Sequence, residues 1–104
     1  MTGMKREIAR RWAPACNEYF DSFRDGWFDE ANRVQFILPV DQVHVASGRA
    51  DLVIGHPGVD GIYFCFREGQ RGVFAWYGID EAHVLVAPTI RELLRRWTEG
   101  ALTL

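Results

Sequence analysis

Asp41, His44 and Ser47 repeat at every third position and together offer the acid, imidazole and hydroxyl of a serine nucleophile site. Such a site requires the serine to bond to the histidine and the histidine to the acid, so the three side chains must share a face. Only a helix would place side chains at this spacing on one face. The β-branched residues and the glycine in this segment disfavour a helix. The pattern therefore predicts a solvated loop and not a nucleophile.

The glycine-rich loop at residues 55–61 is a second candidate, because glycine-rich loops can enclose a phosphate group. Loops of that kind open a helix, whose first N–H groups bind the anion. This loop leads instead into the β-prone run 62–66, and the only lysine of the chain, Lys5, lies near the N-terminus. A tight turn between two strands is the favoured interpretation, with a ligand pocket that contains His56 and Asp60 as the alternative.

The spacing of potential metal ligands matches no common binding motif. His44, His56 and His83 are far apart, and neither a Cys-x-x-Cys nor a His-x-x-x-His pair occurs. Asp80, Glu81 and His83 offer oxygen and nitrogen ligands from one turn, but a solvated turn is the favoured interpretation. We therefore expect neither a metal nor a cofactor.

The two cysteines have apolar surroundings. Cys16 falls on an apolar helical stripe, and Cys65 lies inside an aromatic strand. A nucleophilic thiol needs a polar, electropositive setting, and two cysteines are too few for a disulfide framework. We therefore expect two reduced, buried thiols in a protein that is not an enzyme.

Helical spacing predicts two helices before the sheet. The first covers about residues 2–12, and the second starts at Pro14, runs to about Asp25 and ends at Gly26. One apolar stripe at helical spacing runs along the second helix and continues past its end. It contains Cys16, Phe20, Phe23 and Trp27.

Five short runs of β-branched and aromatic residues predict strands. A polar link with two glycines joins the third run to the fourth, which is typical of an antiparallel hairpin. The predicted strands are residues 34–38, 52–54, 62–66, 73–77 and 84–86.

A last helix is predicted after the strands. Thr89 and Glu92 form a capping box, apolar residues follow at helical spacing, and Gly100 ends the helix. Helices, then strands, then a helix predict an α+β fold. We expect a mainly antiparallel sheet of about five short strands, with the N-terminal helices and the C-terminal helix packed on one face.

Composition and charge exclude several classes of protein. With 104 residues the chain has the size of one domain, spanning residues 1–104. Its 12 basic and 14 acidic residues lack the basic excess that nucleic-acid binding requires. No apolar run is long enough to cross a membrane, and no apolar signal segment follows the N-terminus. We therefore expect a cytoplasmic protein that binds neither nucleic acid nor membrane.

Aromatic residues make up 13% of the chain, and most fall at core positions of the predicted elements. Neighbouring strand residues point to opposite faces, so either Trp76 or Tyr77 points away from the helices and can anchor a protein partner. Burial under a loop or in a dimer is the alternative. The other predicted partner-binding residues are Trp27 and the acidic turn residues Asp80 and Glu81.

Several motifs follow one another in an order that is typical of one family. They are Ala13-Pro14 with Tyr19-Phe20 and Asp25-Gly26, the strand and proline-started helix of 34–43, the two strands with an Asp-Gly turn of 52–66, the strand 72–77, and the strand with a capped helix of 86–94. In this order they resemble the SUKH superfamily of Smi/Knr-type domains over about residues 13–100. The chain departs from it in Ala-Pro for Leu-Pro, in Asp-Gly for Asn-Gly, and in a short segment between residues 39 and 52.

This resemblance implies a non-catalytic protein-binding domain without a cofactor. Many bacterial members are immunity proteins, which bind a cognate toxin in the cytoplasm and block it. The family has no shared catalytic residues, and its toxin-contacting positions differ among members, so no site residue is carried over. We therefore expect an immunity protein that binds a toxin domain. A housekeeping or regulatory interaction domain of the same fold is the first alternative, and a small-ligand-binding protein or enzyme is the second.

Overall fold

The computed structural model describes residues 10–46, 48, 50–102 and 104. The predicted first helix, residues 2–12, lies almost wholly outside the described residues. A C-terminal helix and an antiparallel sheet of seven strands make up the regular structure that follows. The strands are β1 (Trp27–Asp29), β2 (Val34–Ile37), β3 (His44–Val45), β4 (Asp51–Gly55), β5 (Ile62–Arg67), β6 (Val73–Tyr77) and β7 (Ala82–Ala87), and the helix is α1 (Ile90–Thr98).

All strand pairs of the sheet are antiparallel, in the order β1-β2-β4-β5-β6-β7. The side of β4 that does not pair with β5 pairs with two strands. It pairs with β2 at Gly55 and with β3 at Val53 and Leu52. Gly55 permits this close approach, since a Cβ atom there would overlap the carbonyl oxygen of Phe36. The five predicted strands are confirmed, and the short strands β1 and β3 were not predicted.

The predicted second helix, residues 14–25, is not present as one regular helix. The structure has a five-residue π-helical segment, Tyr19–Phe23, which follows two α-helical residues at 17–18 and a turn over residues 12–16. Tyr19 is fully buried, and its hydroxyl donates a hydrogen bond to Leu38 O at 2.6 Å. Tertiary contacts of this kind override the regular helical spacing that the sequence predicts.

The placement of Trp27 on the apolar stripe of that helix was wrong, because Trp27 lies in β1. Gly26 closes the turn that follows the helical segment, with a φ of 79°, and its N–H donates to Phe23 O at 2.8 Å. A Cβ atom at Gly26 would lie 2.8 Å from the nitrogen of Pro39, so only glycine fits this turn. The chain therefore leaves the helical segment after Phe23 and turns at Gly26 into β1.

Helix α1 forms as the sequence predicts. Thr89 caps it by accepting a hydrogen bond from the Glu92 N–H at 3.0 Å, and Gly100 follows its end with a φ of 71°. The carboxylate of Glu18 also accepts hydrogen bonds from Ile90 N at 2.7 Å and Arg91 N at 3.1 Å. Acidic groups are favourable at a helix N-terminus, so Glu18 fixes α1 to the segment before the sheet.

The main core lies between α1 and one face of the sheet. Phe36 is fully buried, and its ring centroid lies 5.0 Å from that of Phe64 and 4.6 Å from that of Trp97. Strand alternation places Phe64 and Phe66 of β5 in this core, so Tyr63, Cys65 and Arg67 point to the other face. In the described part of the chain, no helix is both long and apolar enough to span a bilayer.

Candidate functional site

Four of the five predicted partner-binding residues come together in one hairpin. Trp76 and Tyr77 end β6, and Asp80 and Glu81 are exposed in the turn that leads to β7. The fifth, Trp27, lies on β1, which is the opposite end of the strand order, and packs edge to face on a core phenylalanine. The structure therefore separates Trp27 from the other four.

Trp76 is the member of the aromatic pair that points away from α1. It lies opposite Tyr63 and His83 in neighbouring strands, and its ring centroid lies 6.4 Å and 4.7 Å from theirs, respectively. Tyr77 lies opposite Ile62 and packs against the main core. Both aromatic residues are half-buried, and a role in partner binding stays a prediction for each.

Two of the rejected catalytic patterns have ordinary structural roles. His44 lies exposed in β3 with Nδ1 3.1 Å from Gln42 O, and Ser47 lies outside the described residues. The loop after Gly55 leads into β5, as predicted, and not into a helix. A cavity of about 170 Å³ lies elsewhere, between Glu18, Arg71 and Thr89. Neither His56 nor Asp60 lines that cavity.

A buried polar cluster lies on the face of the sheet that points away from α1. Asp51 is fully buried, and its Oδ2 atom lies 2.8 Å from His83 Nε2 and accepts a hydrogen bond from the Tyr63 hydroxyl at 3.0 Å. Arg67 Nε lies 3.5 Å from Asp51 Oδ1. Asp51, Tyr63, Cys65, Arg67 and His83 are called the Asp51 cluster below.

Strand curvature brings the cluster together. Asp51 lies on β4 and His83 on β7, so three strand spacings, or about 14 Å, would separate them in a flat sheet. The 2.8 Å contact between their side chains shows that β4 to β7 curl toward this face. The curvature of strands β4 to β7 thus brings residues that are distant along the chain into one cluster.

The cluster contains three side chains with metal-ligating atoms. One ligand atom each of Asp51, Cys65 and His83 lies within 4.8 Å of the other two. Asp51 and Cys65 are fully buried, whereas the His83 side chain is 13% exposed. A carboxylate, a thiol and an imidazole at these distances can share a proton or a metal ion.

Both cysteines are buried and neither forms a disulfide bond, as the sequence predicts. Burial raises the pKa of the Cys16 thiol, which opposes formation of its reactive thiolate. Cys65 has no exposed surface, so a bulky substrate cannot reach it in this structure. A nucleophilic role for either thiol has no geometric support.

A second buried carboxylate, Asp29, has only neutral donors around it. Its Oδ2 atom accepts hydrogen bonds from Asn32 Nδ2 and Trp97 Nε1, both at 2.6 Å. The side-chain hydrogen bond from Asn32, followed by that from Trp97, holds the pKa of Asp29 below its ordinary value. Asp29 thereby joins β1 to α1.

The edge of the sheet at β7 exposes aliphatic side chains beside an acidic turn. Ile79 is 94% exposed, Leu85 58% and Val84 46%. In the described part of the chain, β7 pairs only with β6, so its outer side is a sheet edge. The residues Ile79, Asp80, Glu81, Val84 and Leu85 are called the β7 edge surface below.

The sequence did not identify the aliphatic part of this surface, because the exposure of residues 84 and 85 depends on which strand ends the sheet, and strand order is a tertiary property. An apolar run on the last strand before the C-terminal helix was the available indication. The sequence also did not identify the Asp51 cluster, whose metal-ligating residues lie 14 and 18 positions apart and match no motif.

Comparison of the chain with protein-family models, with curated proteins and with solved structures finds no match in any of the three.

Proposed function

We propose that the protein is a non-catalytic protein-binding domain of the immunity type, which neutralises a cognate bacterial toxin in the cytoplasm by binding to it directly. The observation that carries this proposal is the β7 edge surface. It combines exposed aliphatic side chains with two exposed carboxylates along a strand edge that pairs with no other strand among the described residues. The motif order that resembles SUKH domains supports the same function.

The aliphatic residues of the β7 edge surface have the composition of an interface core. Ile79 is 94% exposed in the turn, and Leu85 and Val84 flank the strand edge on opposite faces, because Leu85 lies opposite Phe74 and Val84 lies opposite Ala75. Protein interfaces bury an apolar centre inside a polar rim, and a strand edge offers backbone N–H and C=O groups to a partner strand. A partner that covers this surface therefore gains apolar burial and backbone hydrogen bonds together.

The acidic residues of the same surface define the charge of its partner. Asp80 and Glu81 are exposed next to Ile79, and residues 34–88 carry six acidic against three basic residues. Complementary charge increases the association rate and selects among partners. We propose a partner with a basic surface, as in a toxin domain that acts on nucleic acid.

Co-expression with the toxin encoded beside this gene tests the proposal. The protein is expected to restore growth and to form a complex with the toxin that elutes as one species on a sizing column. Ile79→Asp and Leu85→Asp are expected to weaken both effects, because each places a charge in the apolar centre of the surface. Absence of rescue and of a complex for the wild type would contradict the proposal.

Val45→Asp is the matched control, because Val45 is a 45% exposed aliphatic residue in β3, which pairs with β4 and not with β6 or β7. It is expected to rescue growth as the wild type does. Thermal unfolding of all three variants shows whether they remain folded. Full rescue by folded Ile79→Asp and Leu85→Asp would assign the interface to another surface.

A further inference from the structure

We propose that Asp51, Cys65 and His83 bind a divalent transition-metal ion, and that zinc is the ion their oxygen, sulfur and nitrogen donors favour. Each ligand comes from a different strand, β4, β5 and β7 respectively. This proposal is independent of the β7 edge surface and of toxin binding.

The distances within the cluster fit a small ion. Zinc bonds of about 2.0–2.3 Å place two ligand atoms of a tetrahedral site roughly 3.3–3.6 Å apart. The three ligand atoms already lie within 4.8 Å of one another, and His83 Nε2 and Asp51 Oδ2 are 2.8 Å apart. Shifts of about 1 Å, within the range of side-chain adjustment, would complete the geometry.

The donor types fit zinc better than magnesium or calcium. Hard cations prefer sites made only of oxygen ligands, whereas a thiolate with an imidazole and a carboxylate suits zinc or cobalt. Binding would replace the proton of the Cys65 thiol with the metal and release that proton to solvent. The two negative charges of Cys65 and Asp51 would then balance the charge of the ion, and the Arg67 guanidinium, with Nε 3.5 Å from Asp51 Oδ1, would leave the cluster with one net positive charge.

Neighbouring side chains hold the ligands in place. The Tyr63 hydroxyl donates to Asp51 Oδ2 at 3.0 Å, and the ring of Trp76 lies 4.7 Å from that of His83. Contacts of this kind orient metal ligands and raise their affinity. The 13% exposure of the His83 side chain gives the cluster one solvent-facing side, from which water would supply the fourth ligand.

Cobalt(II) binding to the full chain under reducing conditions tests the proposal, because cobalt replaces zinc and is coloured. One equivalent of cobalt is expected to produce a thiolate-to-cobalt charge-transfer band and the visible bands of a tetrahedral ion, and zinc should remove both. A wild-type protein without these bands at stoichiometric cobalt would overturn the proposal, whatever the behaviour of any variant.

Matched variants assign the ligands. Cys65→Ser is expected to lose the charge-transfer band, and Cys16→Ser, which alters the other buried cysteine, is expected to keep it. His83→Gln is expected to bind cobalt more than about tenfold more weakly, whereas His44→Gln, at an exposed position, should bind as the wild type does. A band that persists in Cys65→Ser, or unchanged affinity in His83→Gln, would show that the metal binds elsewhere and overturn the site.

Discussion

Asp29 and Asp51 are the two buried charged residues in the described part of the chain, and their partners differ in kind. Asp29 accepts hydrogen bonds from an amide, an indole and backbone N–H groups, none of which titrates near neutral pH. Asp51 contacts an imidazole, a phenol and a guanidinium, with a thiol close by. Burial alone therefore does not distinguish the two sites, but the chemistry of the partners does.

This difference separates a structural carboxylate from a candidate binding group. The donors around Asp29 keep their protons near neutral pH, so the hydrogen bonds at that site do not change. The role of Asp29 is to join β1 to α1 through Trp97. At the proposed metal site, binding of the ion would displace a proton from the groups around Asp51. The comparison also predicts that the two sites respond differently to mutation, pH and zinc.

Removal of the Asp51 carboxylate is expected to have the largest effect. Asp51→Ala should lower the free energy of unfolding by about 3–5 kcal/mol, because it removes the buried counter-charge of Arg67 and the acceptor of the Tyr63 hydrogen bond. Urea unfolding followed by circular dichroism measures this loss. Asp60→Ala, at an exposed position, is the control, and a loss below about 1 kcal/mol in Asp51→Ala would contradict the description of a buried charged cluster.

A smaller effect is expected at the Asp29 site. Trp97→Phe keeps an aromatic ring against Phe36 but removes the indole N–H that donates to Asp29 Oδ2. We expect a loss of about 1.5–3 kcal/mol in the free energy of unfolding, the range for a hydrogen bond to a charged group. A double-mutant cycle with Asp29→Asn measures the coupling. Additive losses in that cycle would show that the Trp97–Asp29 bond contributes nothing.

The stability that Asp29 contributes is expected to depend on pH. Because hydrogen bonds lower the pKa of Asp29, this residue adds stability at pH values above its ordinary pKa of 3.8, and the added stability is lost as the pH falls through the lowered pKa. Asp29→Asn is therefore expected to lose less stability than the wild type between about pH 6 and about pH 3. Urea unfolding at both pH values tests this, and an unchanged pH dependence would contradict the assigned cause.

His83→Gln is expected to have the smallest effect in metal-free protein. The glutamine amide can still donate a hydrogen bond toward Asp51, and the site is partly open to solvent at His83. We expect a change within about 1 kcal/mol in the free energy of unfolding. A loss near that of Asp51→Ala would show that the His83–Asp51 pair is mainly a structural ion pair.

The sequence predicts the strands and the last helix well, because these follow from local patterns. The run 62–66 is a continuous run of β-prone, mostly aromatic residues, and Thr89 with Glu92 marks the start of α1, so each element is specified within a few residues. The second helix and Trp27 were predicted less well. There the burial of Tyr19 and the close packing around Gly26, both tertiary effects, decide the backbone.

The candidate sites are harder to predict than the fold. The acidic turn at Asp80 and Glu81 is visible in the sequence, but the exposure of Ile79 and Leu85 depends on which strand ends the sheet. The Asp51 cluster depends on the curvature of four strands, which no local spacing encodes. Strand alternation predicts that Cys65 points away from the core, but it does not predict that Cys65 lies close to Asp51.

Thermal unfolding of the reduced wild type, of Asp29→Asn and of His83→Gln, each with and without zinc, tests the difference between the two buried aspartates most directly. At a zinc concentration about 100 times Kd, the midpoint of the wild type and of Asp29→Asn should rise by about 10–20 °C. The midpoint of His83→Gln should rise far less. No rise in the wild type, or equal rises in all three proteins, would contradict the assignment of the Asp51 cluster as a metal site.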